Sequence, residues 1–363
     1  MMYQKGEVVM SEQLQSILDL INRDKSLNEI IKKTGLSNQE LSKELSILRN
    51  SGYTIDRQYY YNGKIKYLIN PSIKNLNSND NEMEIQIPKN TKNIKFMLTA
   101  DNHIGSTKQS MEANDKMLEY CVKKNIHIII NVGDFFHGIY PTEKSMNQLT
   151  KYKSDLEQIA YGLKAYPYDK SVYTITILGN HDASFLIEEG IDIKSIILER
   201  RQDIIPLGYG FGIIKMNQAQ IYLQHPIERL NIMPKIVPYN LILAGHSHNF
   251  RIKPTLNGSG MKVQAGTMSY VPTNANEKPI PNMTVVELKI TQTGIIEYEK
   301  FEHFVFINEE FVKISELLYD IKITGTKSTA NEFGKVYQKL YQKKDNSTLI
   351  NEENKTRKRS KKR

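Results

Sequence analysis

Histidine is used selectively in this chain. Six of its eight histidines fall inside five short motifs: Asp101-x-His103, Gly133-Asp134-x-x-His137, Gly179-Asn180-His181-Asp182, His225, and Gly245-His246-x-His248. Imidazole nitrogens, carboxylates and an amide oxygen in this number supply ligands for two metal ions and leave two histidines for proton transfer. Only His127 and His303 lie outside the motifs. His127 sits within an apolar run and reads as a structural histidine. Asp101 and His103 alternate around one residue, as do His246 and His248, so extended backbone would point each pair the same way. Glycines 133, 179 and 245 allow the chain to turn tightly before each group of ligands.

Each motif follows a stretch that reads as a β-strand, or can be fitted to one. The runs 94–99, 127–132, 173–178, 221–224 and 241–244 are short, apolar and rich in β-branched residues. Helical stretches near 110–124 and 143–165 separate the first three, and such alternation predicts an α/β core. In open α/β folds the loops at the carboxyl ends of strands gather into one site, which would bring distant motifs together. After about residue 250 the pattern is mostly strands.

The motif set resembles the calcineurin-like metallophosphoesterase superfamily over residues 94 to about 290. The resemblance implies a four-layer double β-sandwich flanked by helices. It also implies that Asp101, His103 and His248 hold one divalent metal ion, that Asn180, His225 and His246 hold a second, and that Asp134 bridges them. The mixed nitrogen and oxygen set suits Mn²⁺, Fe²⁺, Zn²⁺ or Co²⁺, with Mn²⁺ the expected ion. In-line attack on phosphorus by a metal-bridging hydroxide follows, with His181 serving the departing oxygen. Gly133-Asp134-Phe135-Phe136-His137-Gly138 ends in histidine, as in the DNA double-strand-break repair exonucleases of the superfamily, where phosphoprotein phosphatases usually carry aspartate. His137 is therefore the candidate partner of His181, and DNA the expected substrate. The alternative is a phosphatase or nucleotide phosphodiesterase with a protein-docking N-terminal module. Asp182 reads as a structural acid at a helix start.

Residues 1–70 resemble a winged helix-turn-helix domain. Three amphipathic helices, the third capped by Ser37 with Glu40 three residues on, precede two strand-like runs around Asn62-Gly63, a strong hairpin signal. The third helix is expected to expose Gln39, Glu40, Ser42, Lys43, Glu44 and Arg49, and the wing Arg57, Lys64, Lys66 and Tyr59 to Tyr61. Such a surface contacts either DNA or a protein partner. Residues 71–92, rich in Asn, Ser, Lys and Pro, read as a linker. The phosphoesterase-like unit is expected at 93–306, a helical segment, itself a candidate protein-docking element, at 307–345, and a basic tail at 346–363.

The net charge of +9 is local: residues 355–363 hold seven basic residues, and the rest of the chain carries +2. Such a tail suits a polyanion. One cysteine excludes a disulfide framework and a thiolate zinc cluster. No apolar run approaches the roughly 18 residues of a membrane span, and the first residues lack a signal-peptide core. The expectation is a soluble cytoplasmic protein that contacts no membrane.

Overall fold

The computed structural model describes residues 10–69 and 81–320, apart from 89, 141–148, 153, 234–238, 240, 256–259, 275 and 292–295. Two sheets face each other. The first has four parallel strands, β4 (Asn93–Thr99), β5 (Ile128–Val132), β6 (Tyr173–Leu178) and β7 (Ile204–Tyr209). It continues antiparallel through β13 (Asn282–Ile290), β14 (Ile296–Ile307) and β15 (Glu310–Asp320) in the order β15-β14-β13-β4-β5-β6-β7. The second includes β8 (Phe211–Met216), β9 (Ala219–Gln224), β10 (Leu241–Ala244), β11 (Arg251–Pro254) and β12 (Met261–Gln264).

Strand periodicity builds the layers. Phe96 and Leu98 of β4, Ile128 and Ile130 of β5, and Ile175 and Ile177 of β6 point inward, where they meet Ile221, Leu223, Leu241, Leu243 and Val263 of the second sheet. The intervening Met97 and Ile129 point outward, onto Ala113, Met117 and Cys121 of α4 (Met111–Lys123). Helices α5 (Asp155–Ala165), α6 (Asn180–Glu189) and α7 (Ile193–Arg200) cover the same outer face around Phe136, Ile159, Phe185 and Ile197. Both faces of the parallel strands are buried, which is why their sequences are nearly continuous apolar runs. No described helix is long and apolar enough to cross a membrane.

The N-terminal elements form where expected: α1 (Glu12–Asn22), α2 (Leu27–Thr34), α3 (Asn38–Asn50), β1 (Ile55–Tyr60) and β2 (Ile65–Ile69). Ser26 with Glu29, and Ser37 with Glu40, make the reciprocal caps of α2 and α3. Their surroundings differ from the expectation. The stretch 71–92 is not all linker, because β3 (Glu82–Gln86) lies within it and pairs in parallel with both β1 and β8. Its Met83 and Ile85 alternate inward between Glu82, Glu84 and Gln86, a two-residue apolar signal submerged in polar sequence. The hairpin therefore extends the second sheet to eight strands, β11-β12-β10-β9-β8-β3-β1-β2. One core runs from Leu14 and Leu45 through Ile85 to Leu223.

The face of α3 expected to meet a partner is also occupied. Ser42 is buried and accepts from Gln202 Nε2 at 2.6 Å, and Asn38 Nδ2 donates to Asp203 at 3.3 Å. In the β1–β2 hairpin, Arg57 donates to the Leu198 carbonyl at 3.2 Å, and the Tyr59 ring lies 5.9 Å from that of Tyr173. Tyr61 Oη accepts from Lys95 N at 2.9 Å, and Lys66 pairs with Asp24. Gln39, Glu40, Lys43 and Lys64 stay exposed.

The helix expected over 307–345 is wrong across its first part. Glu310–Asp320 is a strand that pairs antiparallel along the length of β14, with a bulge between His303 and Phe304. Val312, Ile314 and Tyr319 favour that pairing over the helical bias of Leu317 and Leu318. The remainder of that segment and the basic tail lie outside the described residues.

Candidate metal centre

The five motifs converge. Loops after β4 and β5 of the first sheet carry Asp101, His103 and Asp134, the first residue of the helix after β6 is Asn180, and loops after β9 and β10 of the second carry His225, His246 and His248. The loops stay zipped past the strand ends. Asp101 N donates to Gly133 O at 2.9 Å, His103 N to Asp134 O at 3.0 Å, and His137 N to Ile104 O at 2.8 Å. A third segment closes the floor, with Thr267 Oγ1 donating to Asp101 O at 2.8 Å. Asp101, His103, Asp134, His137, His225 and His248 are buried, while His246 is exposed and Asn180 and His181 are half-buried.

Two ligand clusters result, Asp101/His103/His248 and Asp134/His225/His246, each with its ligand atoms within 4.8 Å of one another. His103, His137 and His181 form a third. The expected extended geometry does not bring them together. Asp101, His103, Asp134, His246 and His248 all adopt left-handed backbone, with φ of 53°, 46°, 52°, 84° and 55°. Non-glycine residues hold such φ only where the surroundings enforce it. Two glycines matter here through their lack of a side chain. A Cβ at Gly179 would overlap the Asp134 carboxylate, and one at Gly133 the His225 ring.

The donor set fits cations. His225 Nδ1 donates to the Val132 carbonyl at 2.7 Å, which leaves Nε2 facing Asp134 Oδ2 at 3.1 Å and Asn180 Oδ1 at 2.9 Å. His248 Nδ1 donates to Val271 O at 2.8 Å, and its Nε2 faces His103 Nε2 at 3.1 Å and Asp101 Oδ1 at 3.6 Å. Backbone carbonyls thus set the tautomers, as they do for metal-ligating histidines. Two acceptor atoms this close in a buried site need a proton or other positive charge between them, a place that a cation can take. The titration behaviour agrees. Burial works to lower the His225 pKa, but Asp134 and Asp101 outweigh it and push it up to about 9. Burial pushes Asp101 well above the carboxylate range, reinforced by the charge of Asp134. Burial takes His248 down to about 4 and His103 well below its usual value.

His181 and His137 stand together at one side. His181 Nδ1 donates to the His137 carbonyl at 2.6 Å, leaving Nε2 as the exchangeable position, and the two rings are 5.5 Å apart. His181 N also donates to Asp134 Oδ1 at 2.8 Å. Asp182 does more than cap a helix. Its carboxylate accepts from Phe135 N at 3.0 Å, Phe136 N at 2.8 Å and Gly179 N at 2.8 Å, joining two motif loops. Beneath the site a buried amide chain runs Thr176–Asn131–Asn102–Asn114. The sequence reading missed it, since buried asparagines carry no spacing signal. His127, on Ser171 O, and His303, stacked on Phe250, are held within the structure.

Residues 94–234 match the family model of calcineurin-like phosphoesterases. The match takes in Asp101 through His225 and stops short of His246 and His248. No curated protein matches. Among solved structures, vacuolar protein sorting 29 from Cryptosporidium parvum is 13% identical at a TM-score of 0.36, over 63% of this chain and 100% of that one. A predicted phosphoesterase from Streptococcus pneumoniae is 12% identical at 0.35, over 63% and 99%. A structure described as a novel archaeal phosphodiesterase is 15% identical at 0.36, over 58% and 99%.

Proposed function

We propose that this chain is a two-metal phosphodiesterase that hydrolyses DNA. The coarse activity, metal-dependent hydrolysis of phosphoesters, rests on the calcineurin-like domain and on the converging ligand clusters. In our reading Asp101, His103 and His248 hold one ion, Asn180, His225 and His246 the other, and Asp134 both. Imidazole, carboxylate and amide together suit Mn²⁺, with Fe²⁺, Zn²⁺ and Co²⁺ as competitors. The cations supply Lewis-acid stabilisation of the phosphoryl oxygens and activate water as nucleophile.

The observation that carries the diester reading is the His181–His137 pair. A sugar alkoxide is a poor leaving group and departs with a proton. His181 is held by Nδ1 on a backbone carbonyl, so Nε2 can deliver that proton, and the second imidazole lies beside it. The rest of the protein excludes water from the ligands: five of the seven are buried. The experiment is incubation with Mn²⁺ and labelled single- and double-stranded DNA, RNA and a small phosphomonoester, with chelator as control. DNA cleavage that stops with chelator supports the proposal. Efficient monoester hydrolysis without DNA cleavage refutes it.

A second reading, a nucleotide phosphodiesterase or phosphatase, is favoured by one observation. Several groups of α3 and the hairpin that would contact DNA, Ser42, Arg57 and Tyr59, are spent on the body of the protein at Gln202, Leu198 and Tyr173. DNA would then be held mainly by the cleft, with the exposed Gln39, Lys43 and Lys64 left to the module.

A further inference from the structure

We propose that Tyr270 and Lys108 form a subsite beside the metal centre that takes one nucleotide flanking the scissile phosphate, the base on the Tyr270 ring and the neighbouring phosphate on the Lys108 ammonium. The proposal rests on the phosphodiesterase reading and specifies how its substrate is held.

The two residues belong to different loops of the site. Lys108 lies in the loop that follows Asp101 and His103, and Tyr270 in the segment that follows Thr267. Gln109 and Ser269 make an isolated antiparallel bridge, and Tyr270 N donates to Lys108 O at 2.8 Å. Lys108 and Tyr270 are therefore the next cross-strand pair, and directly opposed residues project from one face of such a ribbon. Ser269 and Gln109 project from the other. Ser269 is fully buried, and the Gln109 amide donates to Tyr161 Oη at 2.8 Å and accepts from Gly105 N. Tyr270 keeps 41% of its surface accessible and Lys108 is exposed.

This face is attached to the ligands. Val271, the next residue after Tyr270, gives its carbonyl to His248 Nδ1 at 2.8 Å. Thr267 Oγ1, which bonds Asp101 O, also accepts from Ser269 N at 3.1 Å. Lys108 N donates to Ser106 Oγ at 3.0 Å. The ring is thus presented on a backbone fixed at both ends, and little motion is lost when a planar group covers it. A phenol face and an ammonium on one ribbon fit a base and its phosphate, the combination by which proteins hold single strands without reading sequence.

The test compares the native protein with Tyr270→Ala, Tyr270→Phe and Lys108→Ala. Cleavage of a labelled oligodeoxynucleotide and of bis(p-nitrophenyl) phosphate is measured with Mn²⁺, and oligonucleotide binding is followed by anisotropy in EDTA. Tyr270→Ala is expected to lower the ratio of kcat/KM for oligonucleotide over small diester about tenfold, the scale of one lost base stack, and to weaken binding in EDTA by the same order. Tyr270→Phe, which keeps the ring, retains both. Lys108→Ala lowers the slope of log affinity against log salt by about one. A ratio within twofold of native for Tyr270→Ala, or Tyr270→Phe falling as far as Tyr270→Ala, overturns the subsite. So does native protein that hydrolyses the small diester but neither cleaves nor binds the oligonucleotide. Native protein that hydrolyses no diester refutes instead the phosphodiesterase reading on which the subsite depends.

Discussion

Asp182 offers the sharpest test of how the site is held. Its carboxylate is fully buried and is the acceptor for three backbone N–H groups, those of Phe135, Phe136 and Gly179. Asp182→Ala would leave all three donors buried without an acceptor, at roughly 1–3 kcal/mol each, so about 3 kcal/mol is lost at the least. Asp182→Asn keeps one oxygen and turns an amide NH₂ toward the donors on the other. Its Oδ2 position serves Phe135 and Gly179, so about 1–3 kcal/mol is expected from the Phe136 N–H alone. Urea unfolding without metal measures both. Calorimetric titration with Mn²⁺ then asks whether the two loops still present Asp134 and Asn180 together, with about 10–100-fold weaker binding expected for the alanine variant, as for lost outer-shell partners. Stability of Asp182→Ala within about 0.5 kcal/mol of native, the ordinary range for an uninvolved surface residue, would refute the reasoning.

Other outcomes follow from the same contacts. His181→Ala should lower the rate on DNA by about 10²–10⁴-fold, and much less on a diester with a p-nitrophenolate leaving group, which departs without a proton; equal losses on both would deny it the acid role. Gly179→Ala, whose φ of −87° suits alanine, should fold but bind Mn²⁺ poorly because its Cβ meets Asp134 and His225; unaltered binding by calorimetry would count against the close approach. Glu299 of β14 is fully buried with neither carboxylate oxygen hydrogen-bonded, and burial raises its pKa well above 4.5. The native state then holds a proton the unfolded chain releases above pH 4.5, so stability is full below that value and falls as pH rises toward the folded pKa. Glu299→Gln should flatten this fall between pH 5 and pH 8, read as the urea midpoint, and an unchanged slope would contradict it.

What was legible in the sequence was chemistry carried by residue type. Nine side chains, from Asp101 to His248, were named from motif and order, and the structure gathers them in one place. The parallel strands were legible because burial on both faces leaves apolar runs such as Ile128–Val132. Misreadings came where a tertiary partner decides. Ser42 and Asn38 look like surface residues of a capped helix, and only the presence of Gln202 and Asp203 makes them an internal polar seam. Met83 and Ile85 are too few to announce a strand without β1 and β8 on either side. Phe311 to Tyr319 carries both helical and strand formers, and β14 settles the choice. The left-handed ligands were illegible for a related reason: Asp and His tolerate that backbone only when long-range bonds impose it.

Those bonds explain why the strain is tolerable. Left-handed backbone costs a non-glycine residue of order 1–3 kcal/mol, and five of the proposed ligands adopt it. The compensation comes from pairing between neighbouring loops of the first sheet and from contacts across the sandwich. Asp101 N and His103 N are taken by the β5 loop, and His246 N lies 3.2 Å from both Asp101 carboxylate oxygens. Each ligand cluster also draws on both sheets. Asp101 and His103 come from the first and His248 from the second; Asp134 comes from the first and His225 and His246 from the second. A cation in either cluster would therefore tie one sheet to the other, in the place now held by the His225–Asp134 and His248–His103 contacts. Metal binding would then reinforce a registry of the two sheets that their shared core already sets. The backbone carbonyls of Val132 and Val271 keep the imidazoles aimed before any ion arrives, so the reorganisation left for the ion to drive is small.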